Sequence, residues 1–267
     1  CRIAGLQDCR IAGLQDCRIK APKPNRFDYL DVEFFYSFFF MITLEQMLES
    51  GVHFGHQVRR WNPKMAPFIY SERNGIHIID ILQTLVALEE ISEFLTDQVS
   101  KGKTVLFVGT KRQASPIIEA AAKGCNSHYV SQRWLGGMLT NWSTMVTCID
   151  KLKKIEKQEE DGSILKLPKK ESAQLQKRKA KLEKFFGGLK TMTRLPDIVI
   201  LVGQPNELNA VKECNQLGIR SITLLDTNCD PSLADLVIPG NDDSIRSVEL
   251  ILMELKEAVL KGQSNQK

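Results

Sequence analysis

The strongest constraint on the fold is an alternation between short apolar segments and longer amphipathic ones, which starts at Met41 and continues to the end of the chain. Segments 104–108, 198–202, 221–225 and 236–238 are almost entirely apolar and have the length of buried strands. Helical spacing of apolar residues is typical of the stretches near 80–99, 112–123, 205–217 and 243–260. Buried strands that alternate with helices predict an α/β fold, with a parallel sheet covered by helices on both faces.

Two local signals lie between Met41 and the first of these helices. Thr43 and Gln46 form a weak capping signal for a short helix. Apolar residues at 68–70 and 75–79 flank a turn that contains Asn74-Gly75. An Asn-Gly pair between two such runs is a strong hairpin signal, so we expect two antiparallel strands there.

The stretch 138–192 interrupts the alternation with two helical patterns. Apolar residues recur at steps of about 3.5 from Met138 to Ile155 and again from Leu175 to Met192. Asp161-Gly162-Ser163 and Pro168 break the pattern between them. We therefore expect an inserted antiparallel helical hairpin with a narrow coiled-coil seam, whose exposed faces are rich in lysine.

Charge is distributed unevenly, although the net charge of the whole chain is only +4. Residues 101–194 contain 20 basic and 8 acidic side chains, while residues 41–100 carry a net −4 and residues 195–267 a net −5. A basic middle between acidic flanks favours a surface that binds a polyanion, with a solvated helix surface as the alternative.

Residues 1–40 differ from the rest of the chain. The octapeptide CRIAGLQD occupies 1–8 and recurs at 9–16, and an aromatic run follows. We interpret this segment as a low-complexity extension ahead of a domain at 41–267, from a duplication or a translated upstream segment. Transit peptides are rich in serine and poor in acidic residues, and this segment is neither.

The longest nearly uncharged apolar stretch of the chain is 34–44, too short for the roughly 18 residues that span a bilayer. No membrane partner is therefore expected.

Seven cysteines, none in a CxxC pair, indicate reduced thiols rather than a zinc or redox site.

In α/β proteins, ligands bind at the loops that follow the parallel strands. Gly109-Thr110-Lys111 is such a loop and could cradle a phosphate at the start of a helix. Such a phosphate site would make the chain a nucleotide-binding α/β enzyme, which is the alternative function. The sequence has no GxGxxG, GxxxxGK[ST] or GxSxG motif to support it.

Turn and capping roles are favoured over a metal site for Asp226, Asp230, Asp242 and Asp243. Packing or hydrogen bonding is likewise favoured for His53 and His56. We predict no catalytic residue, metal or cofactor.

Two polar and aromatic segments suit nucleic-acid binding better. Arg59, Arg60 and Lys64 surround Trp61, and Arg133 precedes Trp134 and Gly136-Gly137. Arginine and lysine neutralise phosphates, and tryptophan can stack on unpaired bases, although anchoring of the loops to the core is the favoured role for these tryptophans. The predicted RNA-binding residues are Arg59, Arg60, Lys64, Lys111, Arg112, Arg133, Lys153, Lys154, Lys177, Arg178 and Lys181.

Six separated blocks in this order resemble the small-subunit ribosomal protein S-two family. They are GVHFGHQVRRWNPKM from Gly51, GIHIID from Gly75, FVGTKRQA from Phe107, RWLGGMLTNW from Arg133, LPDIVI from Leu195 and DTNCDP from Asp226. The match covers Met41 to about Gly262. Departures from the family pattern are Gly203 in place of a usual acidic residue, Gly240 in place of a usual alanine, and the N-terminal extension.

The resemblance implies a non-catalytic structural protein that binds rRNA at the junction of head and body of a bacterial-type small ribosomal subunit. It also implies neighbouring small-subunit proteins as partners, including ribosomal protein S-one where that protein exists, and a monomer within the ribosome. The blocks are most similar to plastid and cyanobacterial members. The implied compartment is a chloroplast ribosome, with the bacterial cytoplasm as the alternative.

Overall fold

The computed structural model describes residues 42–162 and 168–266. The prediction for residues 1–40 lies outside these ranges. The helices are α1 (Leu44–Ser50), α2 (Ile81–Ser100), α3 (Ser115–Gly124), α4 (Trp142–Glu160), α5 (Lys169–Phe186), α6 (Leu208–Leu217) and α7 (Ile245–Ser264). The strands are β1 (Phe54–Gln57), β2 (Ile69–Arg73), β3 (Ile76–Ile79), β4 (Val105–Val108), β5 (His128–Val130), β6 (Ile198–Val202), β7 (Arg220–Leu225) and β8 (Leu236–Pro239).

The central sheet is parallel and has the order β5-β4-β6-β7-β8. Its registers place Val105 beside Ile198 and Leu224 beside Ile238. The four predicted apolar strands are confirmed. Strand β5 was not predicted because it is a three-residue edge strand in which His128 and Tyr129 are half-buried, so it has no apolar run.

Helices cover both faces of this sheet, as predicted. Successive strand residues point to opposite faces. In β4, Val105 and Phe107 therefore join a core with α1, α2, α3 and α7, whereas Leu106 and Val108 join a second core with α4, α5 and α6. The strands are buried on both sides, which explains why their sequences are continuously apolar instead of alternating.

A small antiparallel sheet, with the order β1-β3-β2, precedes the parallel one. The predicted hairpin is confirmed: β2 and β3 pair antiparallel around Asn74-Gly75, and both turn residues have positive φ angles, 54° and 74°. Strand β1 was not predicted. Thr43 caps α1 with the reciprocal Thr43–Gln46 bonds of a capping box.

Helices α4 and α5 contact each other in the predicted hairpin region. Leu152 on α4 and Phe186 on α5 are buried in the core that lines the second face of the sheet. One part of the prediction is wrong, because the helical pattern does not continue to Met192. Gly187 and Gly188 end α5 in a 3-10 turn, and Leu189 and Met192 enter the same core from that turn and the loop after it.

Three helices begin later than predicted, because the residues ahead of each of them form turns or bends. Gln204 exchanges two hydrogen bonds with the backbone of Asp230, at 2.7 and 2.8 Å, so Pro205 lies in a turn before α6. The Asn241 side chain accepts from the backbone N–H groups of Asp243 and Ser244 just ahead of α7. The first helical residue of α3 is Ser115 instead of Arg112. Across 42–162 and 168–266, no helix combines the length and apolarity needed to cross a membrane.

Candidate nucleic-acid interface

The loops that follow the parallel strands meet at the edge of the sheet that is formed by the carboxyl ends of the strands. We call loops 109–112, 131–134, 203–206, 226–230 and 240–243 the strand-end loops; they follow β4, β5, β6, β7 and β8 respectively. Segment 58–64 joins them, because the backbone N–H of Asn62 donates to the carbonyl of Thr227 at 2.8 Å. Predicted RNA-binding residues from three separate parts of the sequence therefore lie along this edge.

Segment 58–64 presents two arginines to solvent. Arg59 and Arg60 form the exposed end of a 3-10 turn after β1. Trp61 packs on the ring of His77, with centroids 5.1 Å apart, and 38% of its surface remains exposed. Lys64 is exposed as well, but its ammonium lies 2.7 Å from the Asp230 carboxylate and is partly neutralised by it.

Lys111 is the predicted RNA contact with the most enclosed position. Its side chain is 13% exposed, and its ammonium lies 2.6 Å from a carboxylate oxygen of Asp242 and 2.9 Å from one of Asp243. Burial disfavours the charged amine, but the two aspartates outweigh burial and raise the pKa of Lys111. The next residue, Arg112, is exposed. Arg112 is therefore the better placed of the two to reach a phosphate.

Three of the four strand-end aspartates gather around His56. Its Nδ1 lies 2.9 Å from Asp226 and its Nε2 lies 3.2 Å from Asp243. The hydrogen bond to Asp226 is the main reason that the pKa of His56 is raised. Burial and the nearby charge of Asp226 raise the pKa of the fully buried Asp242 to about 6. His56 thus makes hydrogen-bonding contacts of the kind expected from the sequence.

The same cluster has the chemistry of a cation site. Ligand atoms of His56, Asp242 and Asp243 lie within 4.8 Å of one another, so these residues could hold a metal ion. The ammonium of Lys111 already contacts both aspartates. The fourth strand-end aspartate, Asp230, has the predicted turn role, since it accepts from the backbone of Ser232 and caps a short 3-10 turn.

Loop 131–141 carries Arg133 between β5 and α4. Arg133 is exposed, whereas Trp134 is 6% exposed and donates its indole N–H to Glu213 at 3.0 Å. The interpretation of Trp134 as an anchor to the core is confirmed. Glu213 on α6 was not singled out from the sequence, because its partners lie more than 70 positions away and α6 reads as an ordinary polar helix.

The hairpin carries its predicted basic residues on exposed surface. Those residues are Lys153, Lys154, Lys177, Arg178 and Lys181. Two other hairpin-region lysines are paired within the structure: Lys179 with Glu159, and Lys190 with Glu156. These pairs join α5 and its following turn to the C-terminal half of α4. All five predicted basic residues of the hairpin are thus accessible to a partner.

Comparison with known proteins gives a consistent result. The family described as Ribosomal protein S2 matches residues 47–262. The chain is 60% identical over 222 residues to "Small ribosomal subunit protein uS2c" of Oltmannsiellopsis viridis, an alignment that covers 83% of this chain and 93% of that protein. It is 54% identical over 226 residues to "Small ribosomal subunit protein uS2" of Trichormus variabilis, which covers 85% of each chain.

A third relative, "Small ribosomal subunit protein uS2" of Microcystis aeruginosa, is 54% identical over 223 residues, or 84% of each chain. The match therefore extends over nearly all of the strands and helices described above, and it includes all the predicted RNA-binding positions. The chain belongs to the ribosomal protein S2 family, as its six sequence blocks indicate, and is a structural ribosomal protein rather than an α/β enzyme.

Proposed function

We propose that this chain binds rRNA at the junction of head and body of the small ribosomal subunit, through arginines along the strand-end loops and basic residues of the hairpin. The observation that carries the proposal is the exposure of Arg59, Arg60, Arg112 and Arg133 along one edge of the sheet. Arginine at such positions binds phosphate oxygens in a bidentate manner and keeps its charge at any physiological pH.

The ion pairs beneath these arginines support the proposal. Three aspartates at a phosphate-binding edge would repel RNA if their charges were unopposed. Lys111 contacts Asp242 and Asp243, and His56 contacts Asp226 and Asp243. Their charges are thus partly compensated within the protein, and the exposed arginines supply the unpaired positive charge of this edge. In this proposal Lys111 contributes to binding by neutralising the aspartates, and Lys64 contributes only partly because of Asp230.

The hairpin is the second part of the proposed RNA-binding surface. We infer that α4 and α5 pack as an antiparallel coiled coil, because Glu159 near the end of α4 pairs with Lys179 in the middle of α5. A narrow seam leaves most of each helix surface exposed. Lys153, Lys154, Lys177, Arg178 and Lys181 would then contact phosphates or an acidic neighbouring protein.

Family membership supports the remaining parts of the proposal. We place the chain in a ribosome as a monomer, beside other small-subunit proteins and beside ribosomal protein S-one where that protein exists. The 60% identity to a protein named uS2c supports a plastid ribosome, and the 54% identity to cyanobacterial proteins keeps the bacterial cytoplasm as the alternative.

Binding to purified small-subunit rRNA over a series of salt concentrations tests the proposal. The four exposed arginines alone contribute roughly −3 to the slope of log affinity against log salt, and phosphate contacts of the hairpin make the slope steeper. Reversing Arg59, Arg60 and Arg133 to glutamate should remove most of the arginine contribution. The matched control reverses Lys103, Arg194 and Arg220, which are exposed at the opposite edge of the sheet, and should bind nearly as the parent does. Affinity independent of salt, or equal losses in both triple variants, would contradict the proposal.

A further inference from the structure

Glu213 is a buried carboxylate on α6 that holds the loop carrying Arg133. Its residue is 8% exposed. Oε1 accepts from the indole N–H of Trp134 at 3.0 Å and from the backbone N–H of Gly137 at 2.8 Å. Oε2 accepts from the backbone N–H groups of Leu139 and Thr140, at 2.9 and 3.1 Å, and from the Thr140 hydroxyl at 3.3 Å. One carboxylate thus receives five donors from loop 131–141.

These donors form a concave group that would otherwise suit an external anion. Successive backbone N–H groups near a residue with positive φ, here Gly137 at 82°, form nests that bind phosphates and carboxylates. Burial on its own would raise the pKa of Glu213, but its hydrogen bonds, that from Trp134 foremost, outweigh burial and lower it. The nest is therefore filled by a carboxylate of the protein itself.

The loop depends on this carboxylate for its conformation. Met138 and Leu139 are about 1% exposed, so the N–H of Leu139 lies in the core where water cannot satisfy it. Without Glu213 this buried N–H would lose its partner at a cost in free energy, and the partly buried N–H groups of Gly137 and Thr140 would lose theirs as well. The same loop presents Arg133 at one end and leads into the hairpin helix α4 at the other.

We propose that Glu213 is the positioning residue of the RNA-binding edge: it fixes the direction of Arg133 by filling the nest of its loop. Consequently the backbone of this loop does not bind rRNA phosphates, and Arg133 acts on them through its side chain alone. This inference rests on the proposed function, since it concerns how the same edge binds rRNA.

The test uses the sign of an affinity change. Glu213→Gln removes a negative charge from a protein that binds a polyanion, so simple charge balance predicts tighter binding to rRNA. Positioning predicts the opposite. Glutamine presents an amide NH₂ where the nest offers only donors, the loop shifts, and one phosphate contact is lost. We expect an affinity several-fold weaker and a salt slope smaller in magnitude by roughly 0.7–0.9.

The full chain is titrated with purified small-subunit rRNA, and Glu249→Gln, an exposed glutamate on α7, controls for loss of a charge. Double variants with Arg133→Ala separate positioning from a general loss of structure. Once Arg133 is absent, Glu213→Gln should weaken binding no further. An equal loss in both backgrounds would overturn the inference, as would unchanged or tighter binding by the single variant. If Glu213→Gln does not fold, Trp134→Phe removes one donor of the same network and is held to the same criteria.

The outcome for the parent protein keeps the two proposals distinct. If the parent shows no salt-dependent binding to the rRNA, the proposed function fails. If the parent binds with the expected slope and only the coupling between Glu213 and Arg133 is missing, the inference about Glu213 alone fails. Hydrogen exchange at the amides of Gly137, Leu139 and Thr140 should accelerate in Glu213→Gln, and unchanged protection there would also overturn the inference.

Discussion

Removal of the Lys111 ammonium should lower the free energy of unfolding, because the aspartates of the strand-end loops lose the cation that pairs with them. The perturbation is Lys111→Met, which keeps the length of the side chain and removes its charge. Asp242 is fully buried and loses its closest cation, at 2.6 Å. Leaving one partner of a buried ion pair uncompensated costs about 3–5 kcal/mol of unfolding free energy at pH 7.

The pH dependence follows from Asp242, whose pKa is raised from an ordinary 3.8 to about 6 in the folded protein. A raised carboxyl pKa means that the folded state binds the proton more tightly, so stability falls as pH rises from about 4 through the folded pKa. Lys111 lowers that pKa, so its loss raises it further. The parent gains about 1 kcal/mol between pH 7 and pH 5, and the variant gains more, up to about 3 kcal/mol. The penalty of Lys111→Met should therefore shrink by roughly 1 kcal/mol at pH 5.

Urea unfolding followed by tryptophan fluorescence at pH 7 and pH 5 measures both quantities. Lys101→Met is the matched control, because Lys101 pairs with Asp97 on an exposed surface and its removal should change little. Adding Asp242→Asn to Lys111→Met should recover much of the loss, since the buried charge disappears. A penalty no larger than that of the control, or one that is the same at both pH values, would refute the reasoning.

Two further predictions concern the hairpin base and the thiols. Gly188→Ala would place a methyl group against the carbonyl oxygen of Tyr129 in the edge strand β5. We expect this clash to lower the free energy of unfolding by about 1–3 kcal/mol, as measured by thermal unfolding. Gly136 faces open space, so Gly136→Ala should be nearly neutral. Equal melting temperatures for both variants would contradict this packing. Burial raises the pKa of Cys214 to about 12 and also raises that of Cys229. Iodoacetamide at pH 8 should therefore alkylate the half-buried Cys148 before either of these two, as peptide mapping would show. Early labelling of Cys214 would mean that α6 does not pack this residue into the core on the second face of the sheet.

The strands of the parallel sheet were predictable because their burial on both faces leaves a direct trace in the sequence. Residues 198–202, for example, are apolar at every position, whichever face each side chain meets. Strands β1 and β5 leave no such trace. They are short, lie at sheet edges and contain half-buried residues, so their pairing depends on neighbours that local periodicity does not reveal.

The site was predictable in residue type but not in pairing. The sequence predicts both Lys111 and Arg133 as RNA-binding cations, yet one is held between aspartates and the other is exposed. The partner Asp243 is 132 positions from Lys111, and Glu213 is 79 positions from Trp134. Contacts over such separations are set by strand order, which a single sequence does not specify.

Sedimentation of the tagged protein through a sucrose gradient tests the central claim most directly. The account predicts that the full chain migrates with small ribosomal subunits and that nuclease treatment releases it. Reversal of Arg59, Arg60 and Arg133 to glutamate should leave the protein at the top of the gradient, whereas reversal of Lys103, Arg194 and Arg220 should not. A parent protein that stays at the top of the gradient, or an arginine variant that still migrates with the subunit, would contradict the account.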